Sequence, residues 1–332
     1  MYLNCHTYYS LRYGTFPVEA LCELAQKNRV KSLAVTDINN TSGCLSLIKI
    51  AAGYGINPLV GIDFRNGVAQ QYVGISRNNE GFVQLNEHLS AHLHNEKKFE
   101  ANAPFLPDCF VIYPFEKVLA EDKADFRDNE FIGVSVENLR KLKFSKIKKM
   151  KEKLVFMQSV SFRNKRDYNA HRLLRCIGLN TLLSKLPQEE QGRMSDKMMA
   201  MEAVETEFED FPHILQNTEK LIAACKIDFS FQKDSVNQNL QVFGNSIEAD
   251  EQRLRKLCYE RLQLRYPNAT EEVYARVEKE LNAIISLGFV SYFLINLDIV
   301  EYAKSRIFPF IGRGSGANSI VAYILGITNV DP

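Results

Sequence analysis

The chain has 332 residues, enough for two domains or for one large α/β domain with an appendage. Its 45% apolar and 24% charged residues are ordinary for a globular protein and exclude long disordered regions. A net charge of +1 removes any argument for nucleic-acid binding from bulk charge, so such a partner must be argued locally.

The seven cysteines are scattered and never spaced as C-x-x-C, which favours reduced residues of a cytoplasmic protein over a disulfide framework or a zinc knuckle. The amino terminus lacks a basic segment followed by a long apolar one. The apolar run "FVSYFLINLDIV" is interrupted by Asn296 and Asp298. We therefore expect neither an export signal nor a membrane span.

The first seventy residues predict alternating strands and helices. Thr15 is positioned to cap a helix with Pro17 in its first turn and an apolar face formed by Val18, Leu21, Cys22 and Ala25. A second helix ends on the glycine of "CLSLIKIAAGYG". Strands are predicted at "YLNCHTYY", "SLAVTD" and "NPLVGIDF". Repeated βα units indicate a parallel sheet or barrel, with functional residues at the carboxyl ends of its strands.

The middle of the chain carries weaker patterns, and the remainder is mainly helical. Between residues 78 and 131 we predict one helix, "EGFVQLNEHLSAHL", and one strand, "CFVIYP". Two more strands are predicted at "EFIGVSV" and "KLVFMQSVSF". From about Asp167 the patterns favour helices, including two amphipathic segments, "ADEQRLRKLCYERLQLRY" and "EEVYARVEKELNAIISLG".

Several segments resemble one protein family in order and spacing. The residues around Asn4, "LAVTDINNTSG" and "NPLVGID" are similar to the opening of the PHP (polymerase and histidinol phosphatase) domain of bacterial DNA polymerase III alpha subunits. "DYNAHRLLRCIG", "LGFVSYFLINLDIVEYAK" and the terminal "GRGSGANSIVAYILGITNVDP" resemble the same family. The resemblance implies an α/β fold, with a PHP-type distorted (β/α)7 barrel and helical extension over residues 1–240. A mainly helical connector and the first part of a polymerase palm, residues 246–332, would follow.

Metal-dependent PHP domains activate water with a metal cluster held by His, Asp and Glu side chains. Here the resemblance places other residues at most of those positions. His6 and Asp63 alone keep ligand chemistry, although a hydrolytic metal needs three or more protein ligands. We therefore expect a metal-free, catalytically silent domain, in which His6 is a core histidine bonded to a neighbour. The degenerate positions are Asn4, His6, Tyr13, Ile38, Asp63, Ser159 and Ser161.

Two further clusters have competing interpretations. His88 and His92 have the i, i+4 spacing of a helical zinc site, but without a carboxylate or cysteine pattern the sequence favours a solvated helix face. The basic run at residues 140–153 spaces Phe144, Ile147 and Met150 three apart. This spacing favours an amphipathic helix with a lysine-rich outer face over phosphate contacts.

The terminal "FIGRGSGANSIVAYILG" predicts a short strand, a glycine turn and a helix whose first N–H groups point at an anion. The resemblance implies that Arg313, Gly314 and Ser315 bind the triphosphate of an incoming nucleotide. The helix "SIVAYILGI" is expected to expose apolar surface.

The resemblance implies the amino-terminal part of a replicative DNA-directed DNA polymerase. The aspartates that hold its Mg²⁺ ions would follow the terminal motif, so we expect no catalytic residue and no cofactor in this piece. Implied partners are the proofreading 3′–5′ exonuclease subunit on the PHP domain, primer-template DNA and dNTP in the full-length protein, and a sliding clamp through other regions. The alternatives are an active metal-dependent PHP phosphoesterase or 3′–5′ exonuclease, and a free-standing interaction module.

Overall fold

The computed structural model describes residues 1–229 and 241–332. It divides into two compact units, Met1–Lys233 and Asp234–Pro332. The predicted domain end at residue 240 lies outside the described residues. We describe each unit separately.

The first unit is built on a mixed sheet of eight strands. In space the strands follow the order β7-β6-β5-β4-β3-β2-β1-β8, and all neighbours are parallel except the two pairs that include β4. The strands are β1 Tyr2–Cys5, β2 Ser32–Val35, β3 Asn57–Asn66, β4 Ala69–Ser76, β5 Cys109–Pro114, β6 Glu130–Val134, β7 Leu154–Phe156 and β8 Ser159–Val160.

The sheet curls because its two edge strands are consecutive in the chain. Only Met157 and Gln158 separate β7 from β8, so Phe156 and Ser159 lie no more than about 11 Å apart. β7 pairs with β6, and β8 pairs with β1. The segment predicted as one strand thus changes neighbours halfway along and joins the two edges. The α/β fold predicted from the PHP resemblance is confirmed.

Strand β4 departs from the predicted βα alternation. It folds back on β3 as an antiparallel hairpin, whose two turn residues are Gly67 and Val68, and Gly67 has a φ of +63°. Glycine at the first position of a two-residue hairpin turn is a sequence signal, because that position takes a positive φ. The expectation of strictly parallel strands is therefore wrong at β4.

Eight helices are described in the first unit. The predicted face of the first helix, which includes Leu21 and Cys22, is buried, but the helix begins at Val18 and Thr15 does not cap it. The Thr15 hydroxyl instead donates to the Ser161 carbonyl at 3.4 Å. The helices are α1 Val18–Lys27, α2 Ser42–Ala51, α3 Asn79–His94, α4 Phe115–Glu121, α5 Leu139–Phe144, α6 Lys165–Leu179, α7 Met201–Glu207 and α8 Pro212–Ala223.

The basic run does not form the single amphipathic helix that was predicted. Helix α5 ends at Phe144, and two short 3₁₀ turns follow. The Ser145 hydroxyl donates to the Leu142 carbonyl, a side-chain bond that competes with helix continuation. Ile147 is buried, whereas Phe144 is 82% exposed. The three apolar residues therefore do not share one face.

The second unit is a helical bundle. Its core includes Leu254, Val277, Leu281 and Ile324, which come from three different helices. The last helix lies within this core, so the expectation that it exposes apolar surface is wrong. The segment before the glycine turn, residues 308–312, is not a strand. The helices are α9 Ile247–Arg265, α10 Glu271–Ser286, α11 Val290–Ser305 and α12 Ile320–Leu325.

Within residues 1–229 and 241–332, no single helix has the length and hydropathy of a membrane span. Helices α10 and α11, bent by 110°, meet those criteria only as a pair, by length and composition alone.

Candidate functional site

Three buried side chains at the carboxyl ends of the parallel strands form the centre of the candidate site. His6 follows β1, and its Nε2 lies 2.9 Å from Oδ2 of Asp63 on β3. Arg65 donates to the same Oδ2 from Nε at 3.0 Å and from Nη2 at 2.7 Å. His6 and Asp63 are fully buried, and Arg65 is 8% exposed. The two residues with ligand chemistry are thus bonded to each other and to an arginine.

The arginine determines the charge state of Asp63. Burial alone would raise the pKa of the Asp63 carboxyl, but the Arg65 charge and the hydrogen bond from His6 hold that pKa well below its usual range. Burial likewise disfavours the Arg65 charge, and Asp63 outweighs it, so the pKa of Arg65 is raised. The pair is therefore ionised at neutral pH.

Sequence reasoning missed Arg65, although a local signal was present. Residues two apart on a strand project from the same face, and Arg65 follows Asp63 by two in β3. Its guanidinium carbon lies 5.1 Å from the ring centre of Tyr13, a cation–π arrangement. Tyr13, which stands at an expected aspartate position, thus contacts the arginine face.

The remaining degenerate positions form hydrogen bonds among themselves. Asn4 donates to the Ser159 hydroxyl at 3.0 Å and accepts from the Thr36 hydroxyl at 2.8 Å. Ser161 lies 2.8 Å from His6 Nδ1, so both ring nitrogens of His6 have partners. The expectation that His6 is a core histidine bonded to its neighbours agrees with these contacts.

Asp37, which precedes Ile38, is also fully engaged. Its carboxylate accepts from the Thr7 amide at 2.6 Å, the Thr7 hydroxyl at 2.8 Å and the Ser10 hydroxyl at 2.7 Å. The Ile38 amide donates to the same Ser10 hydroxyl. Asp37 therefore fixes the loop after β1, and both of its oxygens accept hydrogen bonds.

The side chains present do not fit a hydrolytic metal cluster. A cation at Asp63 Oδ2 would displace three donors and sit beside the Arg65 charge. Oδ1 of Asp63 is buried and has no hydrogen-bond partner among the described residues, but one oxygen cannot hold a metal cluster. The cleft itself persists, with a volume of about 340 Å³, and Tyr13, Arg65 and Gln158 line it.

His171 supports the site from α6. Its Nδ1 donates to the Tyr13 carbonyl at 2.8 Å, and its Nε2 accepts from the Gly192 amide at 2.9 Å. Burial lowers the pKa of His171 to about 4, which keeps the ring neutral. These two bonds give His171 a structural role.

The terminal glycine loop lies in the second unit. Arg313, Gly314 and Ser315 are adjacent and exposed, and Gly314 has a φ of +79° with open space around it. The amides of Ser315 and Gly316 have no hydrogen-bond acceptor among the described residues. A positive-φ glycine followed by two free amides is an arrangement that can receive an anion.

The start of α12 is not open to an anion, contrary to expectation. The Glu280 carboxylate of α10 accepts from the amides of Ile320 at 3.2 Å and Val321 at 3.3 Å, and from the Ser319 hydroxyl at 2.8 Å. An acidic residue 40 positions away thus occupies the helix start, where the helix dipole favours negative charge. Any anion site must use the exposed loop before α12.

Comparison with known proteins finds a match to a family model in each of the two units. Residues 3–154 match the family model of the PHP domain, and residues 252–332 match that of the bacterial DNA polymerase III alpha NTPase domain. The chain therefore combines a PHP domain with a DNA polymerase III alpha NTPase domain.

Three curated relatives that match nearly the whole length of the chain share one name. DNA polymerase III subunit alpha of Halalkalibacterium halodurans is 27% identical, over 100% of this chain and 32% of that protein. The protein of that name from Neisseria meningitidis serogroup A is 26% identical, over 99% of this chain and 33% of that protein. The one from Bacillus subtilis is 26% identical, over 100% of this chain and 32% of that protein. Along its whole length the chain is similar to bacterial DNA polymerase III alpha subunits. It spans about a third of the length of these relatives.

Proposed function

We propose that this chain is the amino-terminal part of a replicative DNA-directed DNA polymerase, in which the PHP domain is a scaffold whose cleft holds no metal. The observation that carries the scaffold role is the buried Asp63 carboxylate, saturated at Oδ2 by His6 and Arg65. We assign the PHP domain to residues 1–240 and the palm part to residues 246–332. A replicative polymerase acts on primer-template DNA and dNTP with Mg²⁺ in the cytoplasm, and its sliding clamp would bind other regions.

The scaffold role is tested by hydrolysis assays on the whole chain. With Mn²⁺, Zn²⁺ or Mg²⁺ added, we expect no hydrolysis of a phosphomonoester or of single-stranded DNA above the rate of a His6→Gln variant. Metal-dependent hydrolysis that is lost in His6→Gln and in Asp63→Asn would identify an active phosphoesterase or 3′–5′ exonuclease instead.

The glycine loop supplies the second part of the proposal, binding of the dNTP triphosphate. Two free amides follow Gly314, and the exposed Arg313 adds a positive charge beside them. A charged hydrogen bond contributes about 1.5–3 kcal/mol, so Arg313→Ala should weaken Mg-dATP binding roughly 10- to 100-fold. Calorimetric titration measures this loss. Arg140→Ala, at an exposed arginine of the other unit, is the matched control and should bind like the wild type.

Equal affinity in the wild type and Arg313→Ala would refute the role of the loop. Gly314→Ala provides a second measurement, because an alanine is strained at a φ of +79° although it has space there. We expect it to weaken dATP binding without changing the helical circular dichroism.

The family resemblance also supports docking of the proofreading exonuclease subunit on the PHP domain. A domain without hydrolytic metals retains a folded barrel surface for such a partner. Co-elution of the purified 332-residue chain with that subunit in size-exclusion chromatography is the expected result. Independent elution at micromolar concentrations of both proteins would contradict it.

A further inference from the structure

The end of α3 brings two histidines and a glutamate together outside the cleft. One ligand atom of each of His88, His92 and Glu100 lies within 4.8 Å of the others. The sequence interpretation, a solvated helix face without a carboxylate partner, is wrong. His88 is half-buried beside Phe64 and Phe99, with ring centres 5.1 and 5.7 Å away.

Both imidazoles have partners that fix one ring nitrogen. His92 Nδ1 lies 2.8 Å from the His88 carbonyl, which can only accept, so Nδ1 carries the proton. His88 Nε2 lies 2.8 Å from the Tyr72 hydroxyl. Histidines that bind metals through one nitrogen almost always bond the other nitrogen to such a group. One nitrogen on each ring is left for a ligand.

The contact between His92 and Glu100 requires a cation between them. In a neutral ring whose Nδ1 carries the proton, Nε2 has only a lone pair, and it lies 3.1 Å from Glu100 Oε2. An ionised carboxylate is also an acceptor only. Two acceptors at this distance need either a proton, which makes the ring an imidazolium, or a metal ion.

The segment that carries Glu100 is anchored next to the histidines. The Phe99 amide donates to Asn66 Oδ1 at 2.9 Å, and the Asn66 side-chain amide donates to the Phe99 carbonyl at 2.8 Å. The Phe99 ring stacks on His92, with ring centres 4.8 Å apart. These contacts place Glu100 at the end of α3.

We propose that His88, His92 and Glu100 form a Zn²⁺ site on the first unit. Two imidazoles at i, i+4 and one carboxylate are a recurring zinc ligand set that leaves a fourth position for water. Imidazole nitrogens favour zinc over Mg²⁺, which prefers oxygen ligands. The site is separate from the degenerate PHP positions and does not depend on the proposed function.

Zinc titration of the chelator-treated chain tests the proposal. We expect one Zn²⁺ per chain at neutral pH and no competition by millimolar Mg²⁺. Removing a group that only hydrogen-bonds a metal ligand weakens metal binding about 10- to 100-fold. Removing a ligand itself, in His92→Gln or Glu100→Gln, should cost more and raise the Kd for Zn²⁺ by at least about 100-fold. His94→Gln, at an exposed histidine of the same helix, is the matched control and should bind like the wild type.

Each outcome assigns the metal or excludes it. If wild type and His92→Gln bind Zn²⁺ equally, or neither binds it, the contact is a proton-mediated ion pair and the proposal is wrong. If binding is lost in His6→Gln and kept in His92→Gln, the metal lies in the cleft, which overturns this proposal and the metal-free scaffold together. Loss in His92→Gln alone supports the site and leaves the scaffold proposal intact.

Discussion

Replacing Arg65 with methionine tests the charge balance of the candidate site. Methionine keeps much of the side-chain length but leaves the buried Asp63 carboxylate without its cation. Removing one partner of a buried ion pair costs about 3–5 kcal/mol, because the remaining charge stays desolvated. With a urea slope of about 3 kcal/mol per molar for a large domain, the unfolding midpoint should fall by about 1–2 M.

The two compact units require a readout that reports on each of them. Cys44 is fully buried in the first unit, and Cys258 is fully buried in the second. Pulsed thiol labelling along a urea gradient, read by peptide mass spectrometry, therefore follows each unit within one sample. In Arg65→Met, we expect the Cys44 midpoint to fall and the Cys258 midpoint to stay constant.

The pH dependence distinguishes lost charge from lost packing. In the wild type the depressed pKa of Asp63 gives stability that is present above the unfolded pKa of 3.8 and is lost only well below it. Without Arg65, burial becomes the dominant influence and raises that pKa. The variant then gains relative stability as Asp63 takes up a proton, so its deficit should be smaller at pH 5 than at pH 7.

Arg29→Met is the matched control, since Arg29 forms an exposed pair with Glu202, with side chains 80% and 56% exposed. Such pairs contribute about 0–1 kcal/mol. If Arg65→Met shifts the Cys44 midpoint no more than Arg29→Met does, or its deficit is equal at pH 5 and pH 7, the charge argument is wrong.

Three other measurements address neighbouring features. Burial lowers the pKa of His171 to about 4, so this residue gives stability that is present above its unfolded pKa of 6.5 and is lost as the pH falls towards 4. The loss is on the order of 3 kcal/mol in the free energy of unfolding reported by Cys44, and His171→Gln should remove this pH dependence. An unchanged pH dependence in the variant would contradict the assignment. Glu280→Gln removes the anionic cap of α12 and should lower the free energy of unfolding reported by Cys258 by about 0.5–2 kcal/mol, without changing the value reported by Cys44. Equal losses in both units would contradict a local cap. Asn4→His and Ile38→His together restore two ligands in the cleft, and we expect this double variant to bind no Mn²⁺ while Arg65 is present. Adding Arg65→Met should give measurable Mn²⁺ binding. Binding by the double variant with Arg65 retained would disprove the idea that Arg65 blocks metal binding in the cleft.

The parts of the fold that sequence predicted are those with strong local periodicity. Strands β2, β3 and β5 have apolar runs bounded by turn residues, and the structure places them within the sheet core. Helix α1 was located by apolar residues at helical spacing, and that face is buried. Strand β4 was missed because Gln70 and Gln71 lie near its start and because Gly67 was not used as a turn signal.

The parts of the site that sequence missed depend on contacts between distant segments. Glu280 reaches α12 across 40 residues, and His6 reaches Asp63 across 57. Glu100 joins the two histidines only because Asn66 anchors the segment that carries it. No local pattern encodes such contacts, since they depend on strand register and on loop paths. Arg65 is different, because its spacing from Asp63 on one strand already placed both side chains on the same face.

The Arg65 contacts give a physical reason why the proposed metal-free cleft can hold a buried carboxylate. A fully buried carboxylate needs a positive charge nearby, because its desolvation is otherwise too costly. In a metal-dependent PHP domain the cations supply that charge. Here the guanidinium of Arg65, on the same strand, supplies it by donating twice to Asp63 Oδ2. On the proposed function, loss of the metal ligands and the presence of Arg65 are therefore coupled, since either change alone leaves a buried charge unbalanced.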